Sequence, residues 1–162
     1  MHNLDAMDHR ILAALQANGR MSTLDVAEAV GLSPTPCSRR IKRLEETGVI
    51  TGYTALVDPG ALGLGISVVV SVRLARQGPD GHGQFLQAIR GRSEITECLL
   101  VTGNIDYLLR VRVKDMPALR ELVTVNLQSI PTVAETSTML VVEDVRISNG
   151  VSRVIERTGH TA

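Results

Sequence analysis

The hydrophobic period of this chain changes once, from helical to alternating, and no single uniform architecture accommodates both. In the first half Met7, Ile11, Leu12 and Leu15 recur at helix spacing and stop at Asn18-Gly19, a helix-ending pair. A second helix is predicted from Ser22, with Asp25 three residues on as a capping partner; Leu24, Val26, Ala27 and Val30 follow, and Gly31 ends it. Ser33 is predicted to cap a third helix with Pro34 in its first position, running to Thr47 and ending at Gly48. The connection Gly31-Leu32 is short enough for a helix-turn-helix. Val49 to Val57 is rich in strand formers, suited to a wing or to a lead into the next domain, and Asp58-Pro59-Gly60 is a turn.

In the second half Ile66, Val68, Val70, Val72 and Leu74 alternate with Ser67, Val69, Ser71, Arg73 and Ala75, the signature of a half-buried strand. Gln77 to Gly81 breaks it, and Phe85, Leu86 and Ile89 form a short helix face. Ile95 to Thr102 reads as a strand, Gly103 to Asp106 as a turn, and Tyr107 to Val113 as the partner strand. Asp115 is placed to cap a helix with Pro117 in its first turn and an apolar face of Leu119, Leu122, Val123 and Leu127. Thr132 to Val145 holds a last strand. The fold class is therefore α+β: an N-terminal helix-turn-helix (winged) domain followed by a βαββαβ ferredoxin-like domain. The expected boundaries are 1–61 and 66–148, joined by a hinge at 62–65 (Leu-Gly-Leu-Gly) and followed by a tail, 149–162.

On a helical wheel the third helix is two-sided. Cys37, Ile41 and Leu44 form one narrow stripe that must pack on the first two helices. Thr35, Ser38, Arg39, Lys42 and Arg43 lie opposite, with Arg40 at the flank. The first 62 residues hold only two other Lys or Arg side chains, Arg10 and Arg20. Charge is thus concentrated on one helix, although the whole chain is formally neutral, which excludes a protein that coats nucleic acid over its entire surface. Arg and Lys neutralise phosphates, Arg pairs with guanine edges, and a helix N-terminus favours phosphate. The candidate DNA contacts are Ser33, Thr35, Pro36, Ser38, Arg39, Arg40, Lys42 and Arg43, and the expected partner is double-stranded DNA.

Several other classes lack their signatures. Cys37 and Cys98 are too few for a disulfide framework. His2, His9, His82 and His160 have no metal-ligand spacing, so no metal and no cofactor is expected. Gly60, Gly63 and Gly65 are not followed by a helical pattern and do not make a dinucleotide loop. No residues fall in a recognisable catalytic arrangement, and a non-enzyme is expected. The longest apolar run, Ile66 to Val72, is far too short to span a bilayer. A cytoplasmic protein with no membrane partner follows as the expectation.

Gly31-Leu32-Ser33-Pro34-Thr35-Pro36-Cys37, then Arg40-Ile41-Lys42-Arg43-Leu44-Glu45, then Gly48 to Ala55 resemble the leucine-responsive/asparagine-type (Lrp/AsnC, feast/famine) transcription regulators. The resemblance continues through Glu97-Cys98, the loop Gly103 to Tyr107 and Glu143-Asp144-Val145. It implies a sequence-specific, nucleoid-associated regulator. Its ferredoxin-like half would bind a free amino acid, with aliphatic ones among the candidates, and pair sheet-to-sheet into homodimers that assemble to tetramers or octamers. It implies an effector pocket of Leu100, Gly103, Asn104, Asp106, Met116, Thr138, Met139 and Leu140, with Asp106 as a partner for the ligand ammonium. Many relatives carry an acidic residue where this chain has Asn104, which removes one ammonium partner. Without the family, the loop reads as an ordinary hairpin turn. A ligand-independent architectural protein that wraps or bridges DNA stands as the alternative.

Overall fold

A computed structural model describes residues 3–75 and 78–145. The expected tail lies outside these, as do His2, His160 and Gln77. The chain divides into two compact units between Leu56 and Val57, a few residues before the stretch expected as a hinge.

The first unit holds three helices, α1 (Ala6–Ala17), α2 (Thr23–Val30) and α3 (Pro34–Glu46). Two of them start on reciprocal side-chain caps. Asp8 N–H donates to the Asp5 carboxylate while Asp5 N–H donates to Asp8, and Ser22 and Asp25 do the same for α2. Gly31 ends α2 at φ 75°, a left-handed conformation that costs a glycine little, and Leu32 N–H then closes on the Ala27 carbonyl at 2.8 Å. That closure makes the tight turn into α3. Ser33 sits at the α3 cap position but makes no side-chain cap, contrary to the expectation. Pro36 occupies the third helical position and has no N–H to offer it. Ile11, Val26, Ala27, Val30, Cys37 and Leu44 form the buried core, each large aliphatic contributing about 1.5–3 kcal/mol by leaving water. Residues 51–58 carry no regular secondary structure. Strand formers need a partner to take their backbone hydrogen bonds, and among the described residues none pairs with this segment. Tyr53, Leu56 and Val57 are exposed instead.

The second unit opens with one 3-10 turn, Gly60–Leu62, and continues as β1 (Ile66–Leu74), α4 (Pro79–Ile89), β2 (Ile95–Leu100), β3 (Tyr107–Val113), α5 (Met116–Arg120) and β4 (Val133–Leu140). The last strand is shorter than the expected Thr132 to Val145. The strands form one sheet in the order β2-β3-β1-β4, each neighbouring pair antiparallel, the βαββαβ ferredoxin-like arrangement. Val68, Val70 and Val72 of β1 and Leu109 and Val111 of β3 are fully buried against Phe85 and Ile89 of α4 and Leu119 and Leu122 beyond β3. The intervening residues Val69, Ser71, Arg73, Leu108, Arg110 and Arg112 lie on the opposite face, as the two-residue period requires.

Two details escape helical periodicity. Leu86 was expected on the buried face of α4 but is 45% exposed, because the face turned to the sheet is Gly81, Phe85 and Ile89. Beyond α5 the chain widens into a π-helical stretch, Glu121–Leu127. Gln128 N–H donates to Val123 C=O five residues back at 3.0 Å. The wider turn brings Leu122 and Leu127, five apart, onto one buried face.

Replacing Phe85 by Ala should destabilise the protein by about 3–5 kcal/mol, whereas Leu86→Ala should cost under about 1 kcal/mol. Urea unfolding of both variants checks this; equal losses would mean that α4 is rotated from the orientation described.

Candidate nucleic-acid interface and effector loop

The phase of α3 is set from both sides. Cys37 and Leu44 are buried and Ile41 packs against the same cluster. Burial also pushes the Cys37 thiol up, away from its reactive thiolate form. Ser33, Thr35, Ser38, Arg39, Lys42 and Arg43 are exposed, and Pro36 and Arg40 are half-buried. The structure thus gathers the expected DNA-contacting residues on one helix, but it does not treat their charges alike.

Arg40 and Arg43 turn back onto the start of α1. Arg40 Nη1 donates to Asp5 Oδ2 at 2.6 Å and to Asp8 Oδ1 at 2.9 Å, and Arg43 Nη2 donates to Asp8 Oδ2. Asp8 is 0% exposed. A carboxylate with no water needs opposite charge and donors, and two guanidinium groups with the Asp5 N–H supply them. The contact with Arg40 holds the Asp5 carboxyl below the ordinary carboxylate range, and Asp5 and Asp8 raise Arg40 further. Lys42 meets Glu46 only at 3.6 Å across two exposed side chains, a pairing of small consequence. Arg39 makes no ion pair among the described residues. Tyr53 OH donates to Glu45 Oε1 at 2.9 Å and Ile50 N–H to the Leu44 carbonyl, tying the following segment back to α3. The wheel showed where Arg40 lies but not that Asp5 and Asp8 take two of the four cations. Asp5-x-x-Asp8 before an apolar run is a spacing that fits a helix start, but it carries no information about partners on α3.

In the second unit the loop after β2 turns at Gly103, whose φ of 126° disfavours other residues. Asn104 is exposed. Asp106, expected to meet a ligand ammonium, is 7% exposed and is built into the sheet end. Its Oδ2 accepts from Leu74 N–H at 2.7 Å, its N–H donates to the Val72 carbonyl, and its own carbonyl accepts from Val101 N–H. One oxygen of the carboxylate is thus committed to bracing β1. A cavity of about 310 Å³ beside the loop is lined by Ser71, Arg73, Asn104, Ile105, Glu135 and Ser137. Asn104 is the one residue of the expected pocket that lines it.

The remaining expected pocket residues are not brought together within one chain. Leu100 lies on β2 and Thr138, Met139 and Leu140 on β4, the two opposite edges of the sheet. Three inter-strand steps of about 4.8 Å separate them. They also lie towards opposite ends, since Leu100 pairs with Tyr107 beside Val72 while Leu140 pairs with Val68. Leu100 is 66%, Met116 60% and Leu140 62% exposed, so they enclose nothing alone. Among the described residues no group of His, Cys, Asp or Glu is arranged to hold a metal, and no helix is long and apolar enough to cross a membrane.

Residues 67–151 match the family model described as the Lrp/AsnC ligand binding domain, and residues 4–51 match one described as winged helix-turn-helix DNA-binding. The chain is 47% identical over 146 residues to the leucine-responsive regulatory protein of Haemophilus influenzae, spanning 90% of this chain and 88% of that one. Identity to the protein of the same name from Escherichia coli K12 is 46% over 147 residues, with 91% and 90% spanned. Among solved structures, a transcriptional regulator from Neisseria meningitidis in complex with L-methionine superposes with a TM-score of 0.85 at 34% identity, covering 90% of this chain and 94% of that one. An AsnC family regulator from Agrobacterium tumefaciens gives 0.82 at 33% identity over 90% and 94%.

The Asp5–Arg40 contact has a pH signature. A carboxyl depressed in the folded state adds stability above its unfolded value and loses it as pH falls through the folded value. Asn remains a good cap at position 5. Wild type should therefore exceed Asp5→Asn in stability at neutral pH, and the gap should close as pH falls below about 4. Urea unfolding across that range tests it; a gap unchanged in acid would remove the ion pair from the account.

Proposed function

The chain belongs to the Lrp/AsnC family of DNA-binding transcriptional regulators, and from that premise we propose that its assembly and DNA binding respond to a free amino acid. The carrying observation is the placement of the expected effector residues on opposite edges and ends of one sheet. A ligand that touches Leu100 and also Leu140 must do so between copies of the chain. Binding then favours whichever assembly closes the site, by the differential affinity for that state. Exposed Leu100, Met116, Met139 and Leu140 suit an uncharged aliphatic or thioether side chain, and the Neisseria meningitidis relative was crystallised with L-methionine. The backbone donors of the Gly103 turn suit a carboxylate. The open sheet face, with Val69, Leu108 and Met139, suits a second copy, and dimers joined this way present two α3 helices to DNA. On α3 the outward groups Ser33, Thr35, Ser38, Arg39 and Lys42 are the DNA contacts. Such a protein works in the cytoplasm, on the nucleoid.

One observation favours a second reading. With Asn104 neutral and the Asp106 carboxylate engaged by Leu74, the loop offers little to an ammonium group. A ligand-independent protein that bridges DNA fits that poverty of anions.

L-methionine or L-leucine should raise the melting temperature, because binding to the native assembly stabilises it by mass action, about 2.7 kcal/mol at a hundredfold excess over Kd. The same ligand should change the sedimentation profile. No shift with any common amino acid, together with length-dependent DNA compaction, would establish the second reading.

A further inference from the structure

Four cations crowd positions 39 to 43 of α3, and two of them face carboxylates from α1. Arg40 and Arg43 with Asp5 and Asp8 form a quartet of zero net charge, centred on a carboxylate that water does not reach. Asp8 presents one oxygen to each guanidinium, Oδ1 to Arg40 and Oδ2 to Arg43, in charge-assisted hydrogen bonds of the kind that arginine makes to phosphate oxygens. Arg43 is nevertheless 49% and Arg40 30% exposed at the side chain, so both remain within reach of solvent and of any polyanion. We propose that Asp8 is a specificity-determining residue: it occupies Arg40 and Arg43 as an internal substitute for phosphate, and so withholds two of the four α3 cations from the DNA backbone.

This rests on α3 as the DNA-reading helix, and it changes what that helix delivers. Phosphate neutralisation is indifferent to sequence and supplies essentially all non-specific affinity. Four free cations per copy, multiplied over an assembly, would hold the protein on any duplex. With two of them neutralised from behind, the backbone term falls while the outward side chains of Arg39, Ser38 and Thr35 remain available to base edges. The ratio of specific to non-specific affinity rises as a result. Removing the charge of Asp8 at constant shape should release both guanidinium groups. Asn at position 8 keeps an acceptor for the Asp5 N–H, so the start of α1 is retained.

The test uses the full-length chain and two duplexes of equal length. One is enriched from a random library by the wild-type protein, and the other is its scrambled counterpart. Binding is titrated from about 50 to 200 mM salt, with thermal unfolding of each variant followed in parallel. Asp8→Asn should steepen the salt slope on the scrambled duplex by about 0.9 for each phosphate gained. It should tighten that binding several-fold at low salt and lower the specificity ratio. Arg43→Gln should leave the slope unchanged in the wild-type background and flatten it in the Asp8→Asn background. Were Asp8→Asn to weaken both duplexes by one factor with the slope unchanged, Asp8 would be merely structural and the proposal overturned. Should that variant not fold, comparison of Arg43→Gln with Lys42→Gln decides: flattening by Lys42→Gln alone supports the proposal, and equal flattening by both overturns it. A wild-type chain that does not distinguish the two duplexes overturns the reading of α3 and this proposal with it.

Discussion

A carboxylate without solvent, Asp8, lies between the first and third helices and determines how the third presents itself. It caps α1 from within, accepts two arginines from α3, and lies beside the apolar core of Ile11, Cys37 and Leu44. Apolar packing alone leaves a helix some freedom to roll about its axis. Paired charges at fixed positions on both helices remove much of it, because a roll that leaves Asp8 unpaired strands a buried charge. The outward stripe of Thr35, Ser38, Arg39 and Lys42 depends on that choice of phase. Local capping, core packing and the charge pattern of the surface helix thus meet in one side chain.

The second unit answers a different requirement. A four-stranded sheet covered by helices on one face leaves the other face to solvent or to a partner. Here that face mixes Val69 and Leu108 with Arg73–Glu135 and with Asp144 near Arg110 and Arg112. It has the composition of a face that another sheet can cover without burying unpaired charge. The strand order places Leu100 and Leu140 at opposite edges of the sheet, and under the proposed function that separation would make ligand recognition and assembly one event rather than two. Asp106, a polar loop residue that the sequence marks as a ligand partner, also braces the end of β1 through its Oδ2.

Features whose cause is local were legible in the sequence. Ser22 with Asp25 and Gly31 bounded α2, and the alternation from Ile66 to Leu74 placed the central strand and its buried face. Asp115 marked the start of α5. The helix-turn-helix and the βαββαβ order followed from such signals. Features that depend on remote partners were not legible. The arginines that meet Asp8 lie 32 and 35 residues away in sequence. Ser33 is an exception of local origin: Pro36, three residues on, has no N–H to offer its side chain. The wide turn near Leu127 has no distinct composition, and Thr51 to Val57 has strand residues but no pairing partner among the described residues. In the site, the outward face of α3 was legible from the wheel, whereas the commitment of Arg40, Arg43 and Asp106 was set by tertiary contacts.

The most direct measurement is methylation interference on a duplex selected by the wild-type protein. Guanine N7 lies in the major groove and adenine N3 in the minor groove. The expected result is interference at guanine N7 in two patches about one helical turn, or a multiple of it, apart, lost at those guanines when Arg39 is replaced by Gln. Interference confined to adenine N3, or a guanine pattern indifferent to Arg39, would contradict the assignment of the outward face of α3 as the surface that reads DNA.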